Sequence, residues 1–232
     1  MGMLVSYRLE GSIATITMDD GKVNALSLQM LTDVNAALDR ATADRAVVVL
    51  AGRDGVFSAG FDLAVLRAGG TDASAMLRAG FELAERVLSF PTPVVIACNG
   101  HAVAMGVFLL LSGDYRVGAA GPYRITANEV AIGLPMPRAA VEICRQRLTP
   151  AHFNRAVILA EVFSPDDAVG GGFLDRVVQP PELQAVASSS AEALGRLDMG
   201  AHAASKLRAR DHALSALRAA IDADNADLRA AT

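Results

Sequence analysis

An α/β fold followed by a helical C-terminal region is predicted by three features of this 232-residue chain. Residues 46–51 (AVVVLA) and 94–97 (VVIA) are runs with almost no polarity, as expected of parallel strands covered on both faces. Met30, Leu31, Val34, Ala37, Leu38 and Ala41 fall on one helical face ahead of the first of those strands. Beyond Glu182 the chain is alanine-rich and helical. No linker is long enough to separate two domains. The expected division is therefore a core over residues 1–178 and a helical region over 179–232.

The elements follow in order. Residues 4–9 and 13–18 read as a hairpin around Glu10-Gly11. Asp19-Asp20-Gly21 turns the chain, and 22–26 is an extended link to a helix capped by Ser27. A loop at 52–55 leads to the segment FSAGFDL at 57–63, and a helix starting near Thr71 runs to Leu88. Pro91 and Pro93 precede the strand at 94–97, which Asn99-Gly100 ends. Small residues at 102–106 then lead into an apolar helix at 107–111. A strand feeding a small-residue turn and a buried helix leaves backbone N–H groups free at the helix start, where negative charge is stabilised. Residues 123–126 read as a strand and 138–148 and 151–160 as helices. Ser164-Pro165-Asp166-Asp167 caps a further helix, Gly170 to Gly172 stops it, and 173–178 returns as a strand.

Composition narrows the function classes. The chain is 52% hydrophobic, yet no run approaches the ~18 apolar residues of a membrane span. The net charge of −4 argues against a nucleic-acid partner. Cys98 and Cys144 are too few for a disulfide scaffold, and nothing near them has the spacing of metal ligands. With no basic-then-apolar leader at the N-terminus, a cytoplasmic location is expected.

Two segments in register carry a resemblance. FSAGFDL at 57–63 and NGHAVAMGVFLLLSGDYRV at 99–117 resemble the paired motifs of the crotonase (enoyl-CoA hydratase/isomerase) superfamily. Weaker agreement continues through NEVAIGLPMP at 128–137, SPDDAVGGGFLDRVV at 164–178 and AASKLRAR around Lys206. The resemblance implies a spiral of ββα units whose C-terminal helices make trimer contacts, in a homotrimer or hexamer. It implies an acyl-CoA thioester substrate and no cofactor beyond the coenzyme A that the substrate carries. By position, the backbone N–H groups of Ala59 and Met105 hold the thioester oxygen, and Glu129 is the catalytic acid/base. Ser58, Gly60, Phe61, Asp62, Leu63, Phe108 and Lys206 are the implied substrate-binding residues. Asp62 is read as a loop cap beside the coenzyme A entrance, and Lys206 as either a phosphate contact or part of a solvated basic face. The tail after Lys206 either closes over the acyl group or packs on a neighbouring subunit.

The chain also departs from the pattern. Where hydratases of the family place the first of two glutamates, this chain has Phe108, and Ala104-Met105-Gly106 stands where three glycines are usual. Adding water across a double bond is easiest with two acid/base groups, whereas a 1,3-proton shift needs only one base. A single glutamate therefore favours moving a 3-enoyl double bond to the 2-position. Two alternatives stay open: hydration in fatty-acid degradation, and a catalytically weak acyl-CoA binder. A serine hydrolase is disfavoured because no G-x-S-x-G elbow is present.

Overall fold

The computed structural model describes residues 3–230, with side chains described through Asp227. Strands β1 (Val5–Glu10) and β2 (Ile13–Met18) form the expected hairpin, pairing Val5 with Met18 and Glu10 with Ile13. After β3 (Ala25–Leu26), helix α1 (Leu28–Ala43) starts where the Ser27 hydroxyl accepts the Met30 N–H at 3.2 Å. Next come β4 (Val47–Ala51), β5 (Gly55–Ser58) and β6 (Gly60–Phe61), then α2 (Leu63–Ala68) and α3 (Gly70–Leu88). β7 (Val94–Cys98), β8 (Gly100–Val103), α4 (Met105–Ser112), β9 (Tyr115–Ala119) and β10 (Ile125–Thr126) form the middle of the chain. A single 3₁₀ turn, Val130–Ile132, precedes α5 (Arg138–Arg145), α6 (Pro150–Val157), α7 (Pro165–Gly171) and β11 (Arg176–Val178). Helices α8 (Leu183–Leu194) and α9 (Met199–Ala230) complete the described chain.

The strands divide between sheets in a regular way. β1-β2-β4-β7-β9-β11 form one six-stranded sheet, parallel apart from the β1–β2 hairpin. β10-β8-β5 form a smaller parallel sheet, and β3 pairs with β6. Each of β4–β5, β7–β8 and β9–β10 thus contributes one strand to the large sheet and the next to the small one. This is the ββα spiral. Fully buried β-branched residues such as Val48, Val49, Val94 and Val95 make up the large sheet's centre. One face supports the main core, with α1, α3 and α4 against it. The other face carries Val49, Val95 and Val117 against Leu183, Ala187 and Ala191 of α8.

Several elements were not expected, among them β5 and β6 in the stretch read as a loop and motif, β8 and α2. β8 occupies a stretch read as a break, because its partners lie in the small sheet and its start needs glycine: a Cβ on Gly100 would stand 2.0 Å from the Gly55 carbonyl oxygen. α2 is only six residues long, and only the Asp62 cap, accepting Ala64 N–H at 2.8 Å, marks its start. The C-terminal region also packs within the chain. α9 packs on α3 and α5 of its own chain. Among the described residues no helix is long and apolar enough to cross a membrane.

Candidate active site

The α4 start is built for close approach. Ala104, just before the helix, has φ 50° and ψ −126°, and its N–H is held by the Thr126 carbonyl at 3.0 Å. This sharp turn puts Met105 at the first helical position, where the N–H has no intrahelical acceptor and lies at the positive end of the helix dipole. Gly60 lies directly against it. A Cβ on Gly60 would sit 2.8 Å from the Ala104 Cβ and 3.2 Å from the Met105 nitrogen. Gly106 serves the same approach from the helix side, since a Cβ there would lie 2.4 Å from the Ser58 carbonyl oxygen.

The first loop corrects part of the expected site. The Ala59 N–H is bonded to the Val23 carbonyl at 3.0 Å, so it is not free for a substrate oxygen. Ser58 does not face a substrate either: its fully buried hydroxyl donates to the Asn24 carbonyl at 2.7 Å and accepts the Gly60 N–H at 3.1 Å. The residue of this loop that meets the Met105 nitrogen is Gly60. Asp62 caps α2, as expected of a loop acid, and Leu63 is half exposed on the first turn of that helix. Asn24, absent from the expected site, holds the loop in place. Its backbone has φ 51°, and its buried side-chain amide donates to the Met18 and Phe57 carbonyls at 2.9 and 3.2 Å. Asparagine after a tight acidic turn, a residue that tolerates positive φ, is the signal that was available.

Glu129 comes to this region through backbone register. Thr126 pairs with Val103, so the loop that follows β10 runs beside the turn into α4. The side chain of Glu129 is 8% exposed, and its Oε2 has no hydrogen-bond partner among the described residues. Burial pushes its carboxyl up to about 7. Its charge is felt at the buried Cys144 thiol of α5, which burial pushes up strongly. A carboxylate that is buried, unpaired and half protonated near neutral pH has the properties of a general base.

Phe108 is one helical turn beyond Met105 and 1% exposed. It stacks on Phe81 at 6.2 Å between centroids, and Phe81 meets Phe61 edge-on at 6.0 Å. The ring is therefore part of an aromatic wall and supplies no group able to carry a proton. Phe61 closes over α3 so tightly that a Cβ on Gly80 would lie 2.4 Å from its ring.

Lys206 departs most from its expected role. It is buried, and its ammonium donates to the Phe90 and Thr92 carbonyls at 2.9 and 3.3 Å and to Asp114 at 2.6 Å. Arg210 bonds the other Asp114 oxygen at 2.9 Å. All three ammonium donors are thus engaged inside the chain, and neither a phosphate contact nor a solvated basic face describes Lys206. Among the described residues no group of three or more side chains is placed to hold a metal ion.

A cavity of about 450 Å³ opens beside the aromatic wall. Leu77 and Phe81 of α3, Met136 of the loop after Glu129, and Ile221 of α9 supply its apolar lining. Arg78, Arg138 and Asp224 stand among its charged lining groups. The site thus combines backbone donors, one buried base and an adjoining apolar space.

Comparison with known proteins identifies the family. A family profile described as enoyl-CoA hydratase/isomerase matches residues 8–230. The structure of probable enoyl-CoA hydratase EchA3 from Mycobacterium tuberculosis is 49% identical, with a TM-score of 0.95 over 98% of this chain and 97% of that one. An apo structure of that same M. tuberculosis protein, described there as an enoyl-CoA isomerase, is also 49% identical, with a TM-score of 0.94 over 97% and 99% of the two chains. The human mitochondrial enoyl-CoA delta isomerase 1 is 31% identical over 194 residues, 81% of this chain and 64% of that protein. The chain thus spans just under two thirds of the human relative's length.

Proposed function

The chain belongs to the enoyl-CoA hydratase/isomerase family, and from that premise we propose that it moves the double bond of a 3-enoyl-CoA to the 2-position, with Glu129 as its single base. The observation that carries this reading is the pairing of one buried carboxylate, one of its oxygens without a partner among the described residues, with a phenyl ring where a second acid would stand. Glu129 takes a proton from C2 of the thioester, and the electrons of that bond pass to the thioester oxygen as a dienolate. Met105 N–H at the α4 start, with Phe61 N–H on the peptide after Gly60, is the donor pair we assign to that oxygen. Return of the proton to C4 forms the new C–H bond, leaves C2=C3 and restores the carbonyl. The chemistry needs no bound cofactor, because the coenzyme A arrives on the substrate. A cytoplasmic homotrimer or hexamer belongs to the same proposal, and light scattering tests the assembly.

Hydration is the second reading, with one observation in its favour. Thr126 Oγ1 and Asn128 Oδ1 are buried without partners among the described residues, close in sequence to Glu129, and two such oxygens suit a water molecule. Turnover of matched 3-enoyl- and 2-enoyl-CoA by the protein and by Glu129→Gln separates the two. Conversion of the 3-enoyl ester that is lost in the variant supports the isomerase. Fast hydration of the 2-enoyl ester, abolished by the same substitution, overturns it.

A further inference from the structure

The cavity's walls come from three separate parts of the chain: α3, the segment 135–138 and the last turns of α9. What holds the third wall in place is unusually specific. The Asp224 carboxylate, on α9, accepts the backbone N–H groups of Arg138 and Ala139 at 3.1 and 3.0 Å. It therefore caps the first turn of α5, whose preceding residue is Pro137 and has no side-chain cap of its own. The same carboxylate takes the Arg138 guanidinium at 3.1 Å, and Asp227 one turn later takes it at 2.7 Å. A second tie joins α9 to α3, where Arg78 reaches Asp222 at 3.4 Å and Arg218 bonds Glu85. Of these ties, only Asp224 joins α9 to the backbone of the facing wall. Exposed ion pairs between long side chains contribute little, whereas a charge-assisted cap with two N–H donors contributes more.

The aromatic wall connects this cavity to the chemistry. Phe81 lines the cavity and packs against both Phe61 and Phe108. Met136 lines it seven residues after Glu129. The interior groups Leu77, Phe81, Met136 and Ile221 offer an acyl tail no hydrogen bond, which suits an unbranched aliphatic chain.

We propose that this cavity takes the distal methylenes of the acyl chain, and that Asp224 is a positioning residue that sets the longest chain accepted by pinning α9 across the space. This rests on the acyl-CoA reading above. Each methylene entering the cavity tightens binding about fourfold, the equivalent of ~0.8 kcal/mol, until the space is full. Beyond that length the gain stops.

Binding of saturated acyl-CoA esters from butanoyl to hexadecanoyl, followed by calorimetry, reads that turning point without requiring turnover. Asp224→Ala removes the pin and should move the turning point to longer chains. Asp224→Asn keeps an acceptor for the α5 N–H groups and should move it less. Leu77→Trp fills the cavity from α3 without changing any residue of α9 and should move it to shorter chains. A purely structural role for Asp224 lowers thermal stability but leaves the turning point of the Ala variant at the wild-type length, and that result overturns the proposal. An unmoved turning point in Leu77→Trp overturns it as well, and decides the matter alone if the Ala variant does not fold. Absence of affinity for every ester in the wild-type protein would instead overturn the acyl-CoA reading on which the proposal stands.

Discussion

The protein treats the buried Glu129 and the largely shielded Asp114 in opposite ways. Asp114 is surrounded by donors: Lys206 and Arg210 on α9 and the Val94 N–H, which it accepts at 2.7 Å. These bonds tie the C-terminal helix to the start of β7 and the end of α4. Glu129 has an oxygen with no donor at all among the described residues. A buried charge without a partner is costly, so a fold retains one only where something else is gained. The contrast separates a carboxylate that holds the molecule together from one kept available for a proton.

Removing each carboxylate should therefore have opposite consequences for stability. Asp114→Ala strands the buried Lys206 and the partly buried Arg210 and should cost about 3–5 kcal/mol, seen as a fall in Tm of roughly 10 °C or more. A Tm within two or three degrees of wild type would erase the distinction. Glu129→Gln should reduce kcat/KM for a 3-enoyl-CoA by about 10²–10⁴-fold while leaving the protein folded. Above neutral pH it should even raise stability, by up to ~3 kcal/mol, because the amide is not forced to carry a buried charge.

The pH dependence sharpens the comparison. Glu129 titrates near 7 in the folded chain, above the 4.5 of an ordinary glutamate, so the native state binds the extra proton between those values. Folding stability therefore declines as pH rises from about 4.5 to about 7, and the advantage of Glu129→Gln should be present at pH 8 and gone by about pH 4. Only the ionised carboxylate accepts a proton. The value of kcat/KM should accordingly fall about tenfold per unit below pH 7, and an acid limb near 4.5 would contradict the buried base. The smallest effect is expected at Phe108, where Leu keeps an apolar filling. That variant should lose about 1 kcal/mol of stability, read from urea unfolding, and gain no hydration of 2-enoyl-CoA.

Much of the frame was readable along the chain because it depends on local pattern. The run at 46–51 and the helix face from Met30 to Ala41 could belong only to a covered strand and an amphipathic helix, and both formed where expected. The two motifs likewise brought Gly60 and Met105 together. What was not readable depends on partners far away in sequence. Lys206 sits 92 residues from Asp114, and a lysine is ordinarily exposed. The Ala59 N–H is committed because Val23 runs beside it, and Ala59 itself gives no sign of that. The burial of Glu129 has the same origin, since α5 and the loop from β10 meet only in the folded chain.

The contact between Gly60 and Ala104 leaves room for a single methyl group between the two backbones. Ala104 already occupies it, in a backbone conformation that a residue with a Cβ adopts only under strain. The two positions are therefore unequal: glycine at 104 would relieve that strain, yet 60 would still require glycine, because its φ is 90° and a Cβ there would also lie 3.0 Å from the Val103 carbonyl oxygen and 3.2 Å from the Met105 nitrogen. One side of the contact is closed to every side chain by its own backbone, and the other stays open to a smaller residue.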